Sequence, residues 1–183
     1  MNKILISIKP EWVSKILNEE KVVEIRKTAP KCDLPIEVYI YCTKAVPAAG
    51  WMFDDRIGKW VCLIAKNGEE KYLDGPILNG KVVAKFTLRE VTEYINACNV
   101  TKDSGYMFGD TEREGIYEKA CFSEEDIESY CPDESFYAWH ISDLVIFNKP
   151  RELSELGVKR APQSWQYLEG DEWKNTYSQH FAF

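Results

Sequence analysis

Residues 3–27 read KILISIKPEWVSKILNEEKVVEIRK, and the hydrophobic period changes twice inside them. Lys3 to Ile8 is a short run rich in branched apolar residues, the composition of a strand. Pro10 follows where a helix favours its first residue, because the N–H that proline lacks would have no helical partner there. Trp12, Val13, Ile16 and Leu17 then recur at helical spacing, which predicts a single amphipathic helix of about two turns. Val22 to Arg26 returns to a strand-like run. The chain therefore opens as strand, short helix, strand.

Beyond this opening, strands dominate. In Ile36 to Thr43 the residues Ile36, Val38, Ile40 and Cys42 face one way, and Glu37, Tyr39, Tyr41 and Thr43 the other. Trp60 to Ala65 and Glu70 to Leu73 flank the turn signal Asn67-Gly68, so a hairpin is expected there. After Asn79-Gly80, Lys81 to Tyr94 reads as one long, bent strand. Residues 96–117 carry Gly, Asp, Asn and Ser without a period and read as a long loop. Ser123 with Asp126 three residues on is a capping-box pattern, opening a short helix to about Tyr130. Phe136 to Ile141 and Leu144 to Asn148 read as closing strands, and Pro162 to Trp165 as loop. Many short strands with one early helix predict a small, partly open β-barrel, α+β but mostly β, with a few short peripheral helices.

The length of 183 residues suits one domain over 1–183, with 45% hydrophobic and 29% charged residues, enough for a core. No apolar run approaches the roughly 18 residues of a membrane helix, and Lys3 and Lys9 bracket a run too short for a secretory signal. A cytoplasmic, membrane-free protein is the expectation. Charge is uneven. The first fifty residues hold eight Lys/Arg against six Asp/Glu, whereas 101–150 hold four against twelve, so 96–135 reads as an acidic insertion on the surface. A protein coating nucleic acid without specificity needs a strongly basic balance. At −7 overall, any nucleic-acid contact here is expected to be local. The six cysteines have no two-residue spacing, and His140 and His180 are the only histidines. No metal site and no cofactor is implied, and free thiols are expected.

The densest chemistry is Glu20-Lys21-Val22-Val23-Glu24-Ile25-Arg26-Lys27. On a strand, Glu24 and Arg26 share a face, where a carboxylate meets a planar fork of donors. The helix followed by Lys21, Glu24 and Arg26 resembles the ASCH domain of the PUA-like superfamily, phage-associated type, whose signature is Gly-x-Lys-x-x-Glu-x-Arg. Glu19 stands where the glycine is usual. Ile36 to Lys44, Gly80 to Phe86, Tyr137 to Ile141, Lys149-Pro150 and Pro162 to Trp165 extend the likeness over most of the chain. The resemblance implies a PUA-like open barrel with a helix between the first two strands, and a cleft beside that helix.

It also implies a binding module for RNA or a modified nucleobase, with Lys9, Lys21, Glu24, Arg26, Trp139, Ser164 and Trp165 as ligand-binding residues. One branch of the family resembles an amide hydrolase on a modified nucleoside. If this chain were such an enzyme, Lys21 and Glu24 would be its catalytic pair, although Glu24 stands where that branch has a threonine. A third reading is a prophage-type interaction factor whose acidic 101–135 segment meets a basic protein partner.

Overall fold

A computed structural model describes residues 2–66, 68–94, 110–131 and 136–168. The opening behaves as its periods dictate. Strand β1 (Lys3–Ile8) buries every residue from Ile4 onward. Helix α1 (Pro10–Leu17) begins on its proline and buries Val13, Ser14, Ile16 and Leu17. Glu11 in its first turn and Lys15 in its last complement the helix dipole. Strand β2 (Val23–Arg26) is buried along its whole length.

Strands β3 (Ile36–Cys42), β6 (Val82–Tyr94), β7 (Phe136–Arg151) and β8 (Trp165–Tyr167) join these in one six-stranded sheet, ordered β2-β7-β6-β3-β1-β8. β1 lies parallel to β3, with Lys3 opposite Glu37 and Ile8 opposite Cys42; the other pairs are antiparallel. Register shifts interrupt β3–β6 once and β6–β7 three times. Each such bulge bends its strand and adds twist. Over strands this long the sheet curls into an open barrel, and its first and last strands approach each other.

That approach leaves a seam bridged by side chains. Arg26 on β2 donates from Nη2 to the Ser7 carbonyl on β1 at 2.7 Å, and from Nη1 to Ser164 Oγ at 3.2 Å. Trp165 Nε1 donates to Thr28 Oγ1 at 3.0 Å, and the Lys31 amide to the Tyr167 hydroxyl at 2.8 Å.

The main core fills the barrel around α1, from Ile4, Ile6, Val38 and Ile40 to Phe86 and Trp139. A separate two-stranded sheet, β4 (Ala48–Asp54) with β5 (Lys59–Ala65), packs on α1. Asn18 exchanges two hydrogen bonds with the Cys62 backbone, both at 2.9 Å, and Ser14 Oγ donates to the Cys62 carbonyl at 2.6 Å. This corrects the expected hairpin. Trp60 to Ala65 pairs backward with β4, and Glu70–Tyr72 is a 3₁₀ turn. The segment 48–54 offers seven residues in register, whereas 69–74 is mostly charged.

Three other expectations change. The two closing strands are one strand, β7, because the polar break at Ser142-Asp143 is absorbed as a kink with Asp143 at φ 49°. The Trp165 segment is a strand that pairs with β1, Ile6 opposite Trp165. Of the expected loop 96–117, residues 96–109 lie outside the described residues, and 110–117 belong to helix α2 (Asp110–Ala120). Helix α3 (Glu124–Tyr130) follows, capped as expected: Ser123 Oγ accepts from the Asp126 amide at 3.1 Å and Asp126 Oδ2 accepts from the Ser123 amide at 2.9 Å. Ile116, Ala120, Ile127 and Cys131 of this acidic stretch form a second core with Val23, Ile25, Phe136 and Ala138. Among the described residues of this stretch, Glu118, Lys119, Glu125 and Asp126 are exposed while a sparse apolar stripe packs on β2. Cys32, Cys42, Cys62 and Cys121 are free thiols; Cys98 and His180 lie outside the described residues. Among the described residues, no helix is long and apolar enough to cross a membrane.

Candidate functional site

A cleft of about 640 Å³ opens beside the seam. Its floor holds Ser7, Glu24, Arg26 and Thr43; Trp12, Phe122 and Tyr130 give it aromatic walls; Lys9, Gln163 and Ser164 stand toward the rim. α1 brings Trp12, whose ring stacks on Phe122 at 4.6 Å between centroids. The Phe122 ring in turn meets Tyr130 edge-on at 6.5 Å.

The two floor charges continue into a row of three that ends on Lys21 behind the cleft. Glu24 Oε1 lies 2.9 Å from Arg26 Nη2, and its Oε2 lies 3.5 Å from Lys21 Nζ. Side-chain exposure is 0% for Lys21, 7% for Glu24 and 8% for Arg26. All three are therefore buried, not exposed surface charges. The alternation of β2 puts Glu24, opposite Trp139, and Arg26 on the barrel-facing side, where the seam and the Phe122 and Tyr130 rings flank them, while α2 and α3 pack on the other side against Val23 and Ile25. Two cations against one carboxylate leave the buried row with an excess of positive charge when Lys21 is protonated.

Lys21 is held by more than its carboxylate. Its ammonium donates to the Ala120 carbonyl at the end of α2 at 2.6 Å, and sits 4.9 Å from the Phe122 ring centre and 5.3 Å from that of Trp12. Burial drives its pKa below the usual lysine value, against the opposing pull of Glu24. Lys21 thus ties α2 to the motif strand behind the aromatic wall.

Two polar atoms of the floor, Arg26 Nε and Thr43 Oγ1, are buried without a hydrogen-bond partner, and Glu24 Oε2 has only its ion pair to Lys21. Buried polar atoms are nearly always satisfied, and each exception costs about 1–3 kcal/mol. With the Glu24 carboxylate beside them, these two make a ready set of acceptor, donor and hydroxyl in one cleft.

The cleft brings together Lys9, Glu24, Arg26 and Ser164 from the residues expected in a site. Lys9 is the exposed one, at 68%, with Glu11 4.0 Å away. Lys21, Trp139 and Trp165 are outside its lining. Trp139 is fully buried in the main core, and Trp165 packs against it edge-on at 5.6 Å between ring centres. The aromatic surface instead comes from Trp12, Phe122 and Tyr130, which sequence reading did not place there. Phe122 and Tyr130 flank the capping box at Ser123, a local signal that could have marked them. Thr43 carried no signal beyond its outward position in the alternation of β3. His140 is half-buried, its Nε2 3.0 Å from Thr92 Oγ1, away from the cleft.

No family model matches this sequence, and no curated protein does. Solved structures do. A crystal structure of ASCH from Zymomonas mobilis aligns with a TM-score of 0.58 at 19% identity, covering 91% of this chain and 87% of that one. A tyrosine-to-phenylalanine variant of that protein gives 0.57 at 17% identity over 92% and 91%, and a serine-to-alanine variant 0.58 at 18% over 91% and 88%. The fold of this chain is the ASCH fold.

Proposed function

We propose that this ASCH-fold chain is a binding module whose seam cleft takes a nucleobase, carried by RNA or by a modified nucleoside. The observation that carries this reading is the pair of polar atoms on the floor without a hydrogen-bond partner, Arg26 Nε and Thr43 Oγ1, beside the Glu24 carboxylate and beneath walls of Trp12, Phe122 and Tyr130. A base has a flat face for the walls and a polar edge for the floor. Stacking of a base on an aromatic ring contributes about 1–3 kcal/mol, and a good bidentate contact to a base edge a similar amount. Lys9 at the rim is placed for a ribose or a phosphate.

A hydrolase finds less support. Lys21 donates its proton to the Ala120 carbonyl behind the aromatic wall and does not line the cleft, so it has no path to a substrate amide. Geometry comes before pKa for a general acid or base. Its role is to hold Glu24 and α2 in place.

Thr43→Val tests the base-binding reading without harming the fold. The variant removes a buried hydroxyl that has no partner, so stability should stay level or rise. A thermal-shift panel of nucleosides and modified bases first finds a ligand, since anything that binds the native state raises its melting temperature. Calorimetric titration of that ligand into Thr43→Val should then lose about 0.5–1.5 kcal/mol of affinity, one neutral hydrogen bond. Unchanged affinity in a stable variant removes Thr43 from the site, and a panel without a hit removes the base.

A further inference from the structure

A second cleft, of about 670 Å³, lies on the far side of a thin wall from the first. The chain itself draws the wall. Thr43 and Ala45 face the first cleft while Lys44 between them lines the second, and Gln163 and Ser164 line the first while Arg160 and Ala161 line the second. Lys44, Lys159 and Arg160 are exposed and, among the described residues, none of them is ion-paired. The acid in the same lining, Glu152, is already occupied by Lys81. Three unpaired cations around one cavity stand out in a chain of net charge −7.

The backbone is shaped to present them. The 3₁₀ turn Leu153–Leu156 ends on Gly157 at φ 70°, the left-handed cap that turns the chain out toward Lys159 and Arg160. Gly80, at φ 80°, lets the stem of Lys44 lie across it; a Cβ there would meet Lys44 Cε at 3.2 Å.

We propose that the second cleft is a phosphate site and that the ligand is a single-stranded polynucleotide, not a free nucleoside: its base fills the seam cleft and its neighbouring phosphates lie against Lys44, Lys159 and Arg160. This rests on the base-binding reading of the seam cleft. Phosphates are met here by point charges and one guanidinium fork, as sequence-independent backbone contacts are.

The test uses the full chain with a labelled ten-nucleotide single-stranded RNA, read by fluorescence anisotropy across a salt series. Lys159→Ala/Arg160→Ala should bind at least about tenfold more weakly at low salt. Its log–log salt slope should flatten by about 1.4, from about 0.7 per lost phosphate contact on a single strand. Lys44→Ala should flatten the slope by about half as much. Thermal shifts with the free nucleoside should be the same in all three proteins, because these side chains do not line the seam cleft. An unchanged slope in the double variant overturns the proposal, and so does a wild-type protein that binds a nucleoside but no RNA. An abasic strand that binds as well as the intact one refutes the base-binding reading instead, while loss of that binding in the double variant still upholds the phosphate site.

Discussion

The two sides of the barrel are held by different means. Between β1 and β3 a parallel ladder runs through six residue pairs, and the side chains of Ile4, Ile6, Ile8, Val38 and Ile40 along it are sealed in apolar contact. Across the seam, β2 and its following loop face β1 and β8 through Arg26, Thr28 and Lys31, bonded to Ser7, Ser164, Trp165 and Tyr167. Backbone ladders satisfy donors and acceptors pairwise and leave no gap. A join made by long side chains holds the edges apart, and the space it leaves is the cleft. Stability and binding therefore depend on the same residues at the seam, and on different residues elsewhere.

Arg26→Ala should have the largest effect. It strips the Ser7 carbonyl and Glu24 Oε1 of their partner and opens the seam, and breaking a buried ion pair in this way costs about 3–5 kcal/mol. Denaturant unfolding measures it; a loss below about 1 kcal/mol would mean that the seam is held by its other bonds. Arg26→Lys should recover little of either stability or affinity, because a point charge cannot copy the fork.

Lys21→Met removes a buried amine whose pKa is lowered, and its signature is a pH dependence. Below the folded-state pKa both native and unfolded chains are protonated, and the wild type carries the full cost of a buried charge. As pH rises from that lowered value toward 10.5, the native state releases its proton while the unfolded chain keeps one. Wild-type stability relative to Lys21→Met should therefore climb through that window and level off above it. A difference that stays flat with pH would show that the ammonium is not desolvated.

Trp165→Phe keeps an aromatic ring against Trp139 but removes the bond to Thr28. A loss of about 1 kcal/mol is expected, and faster amide exchange of β8 than of β3 should accompany it. Equal exchange on the two strands would break the contrast between ladder and seam.

The smallest effect is expected at Glu19, and it is a gain. Its backbone sits at φ 61°, a left-handed conformation costly for a side chain and easy for glycine. Glycine is the residue that the family signature has at this place. Glu19→Gly should stabilise the chain by up to about 1 kcal/mol, read as a rise in melting temperature.

Lys21, Glu24 and Arg26 were readable as a motif because two-residue spacing on a strand puts the last two on one face, and because the motif follows a helix with its own clear period. Their burial was not readable. It comes from Ala120, Phe122 and Ser164, which lie 94 or more positions along the chain from the motif residues they cover. α2 escaped notice because its apolar stripe is sparse: Ile116 and Ala120 pack on β2 while charged residues fill the rest. Trp139 and Trp165 were expected at the ligand and sit in the core and the seam, since a tryptophan on a strand has the same local pattern on either face of a curled sheet.

By itself the sequence determined the strand–helix–strand opening, the alternation of β3, the capping box at Ser123 and the chemistry of the motif. All of these are set within about ten residues, where steric period and local hydrogen bonds decide. Only the tertiary structure decided that β7 is one strand, that β8 returns to β1, that the sheet stops short of closing, and that Arg26 bridges what is left open. Those outcomes follow from bulges accumulated over long strands and from bonds such as Arg26 to Ser164, which spans 138 residues. No local period encodes the sum of those bends, so the cleft exists only once the whole sheet has curled.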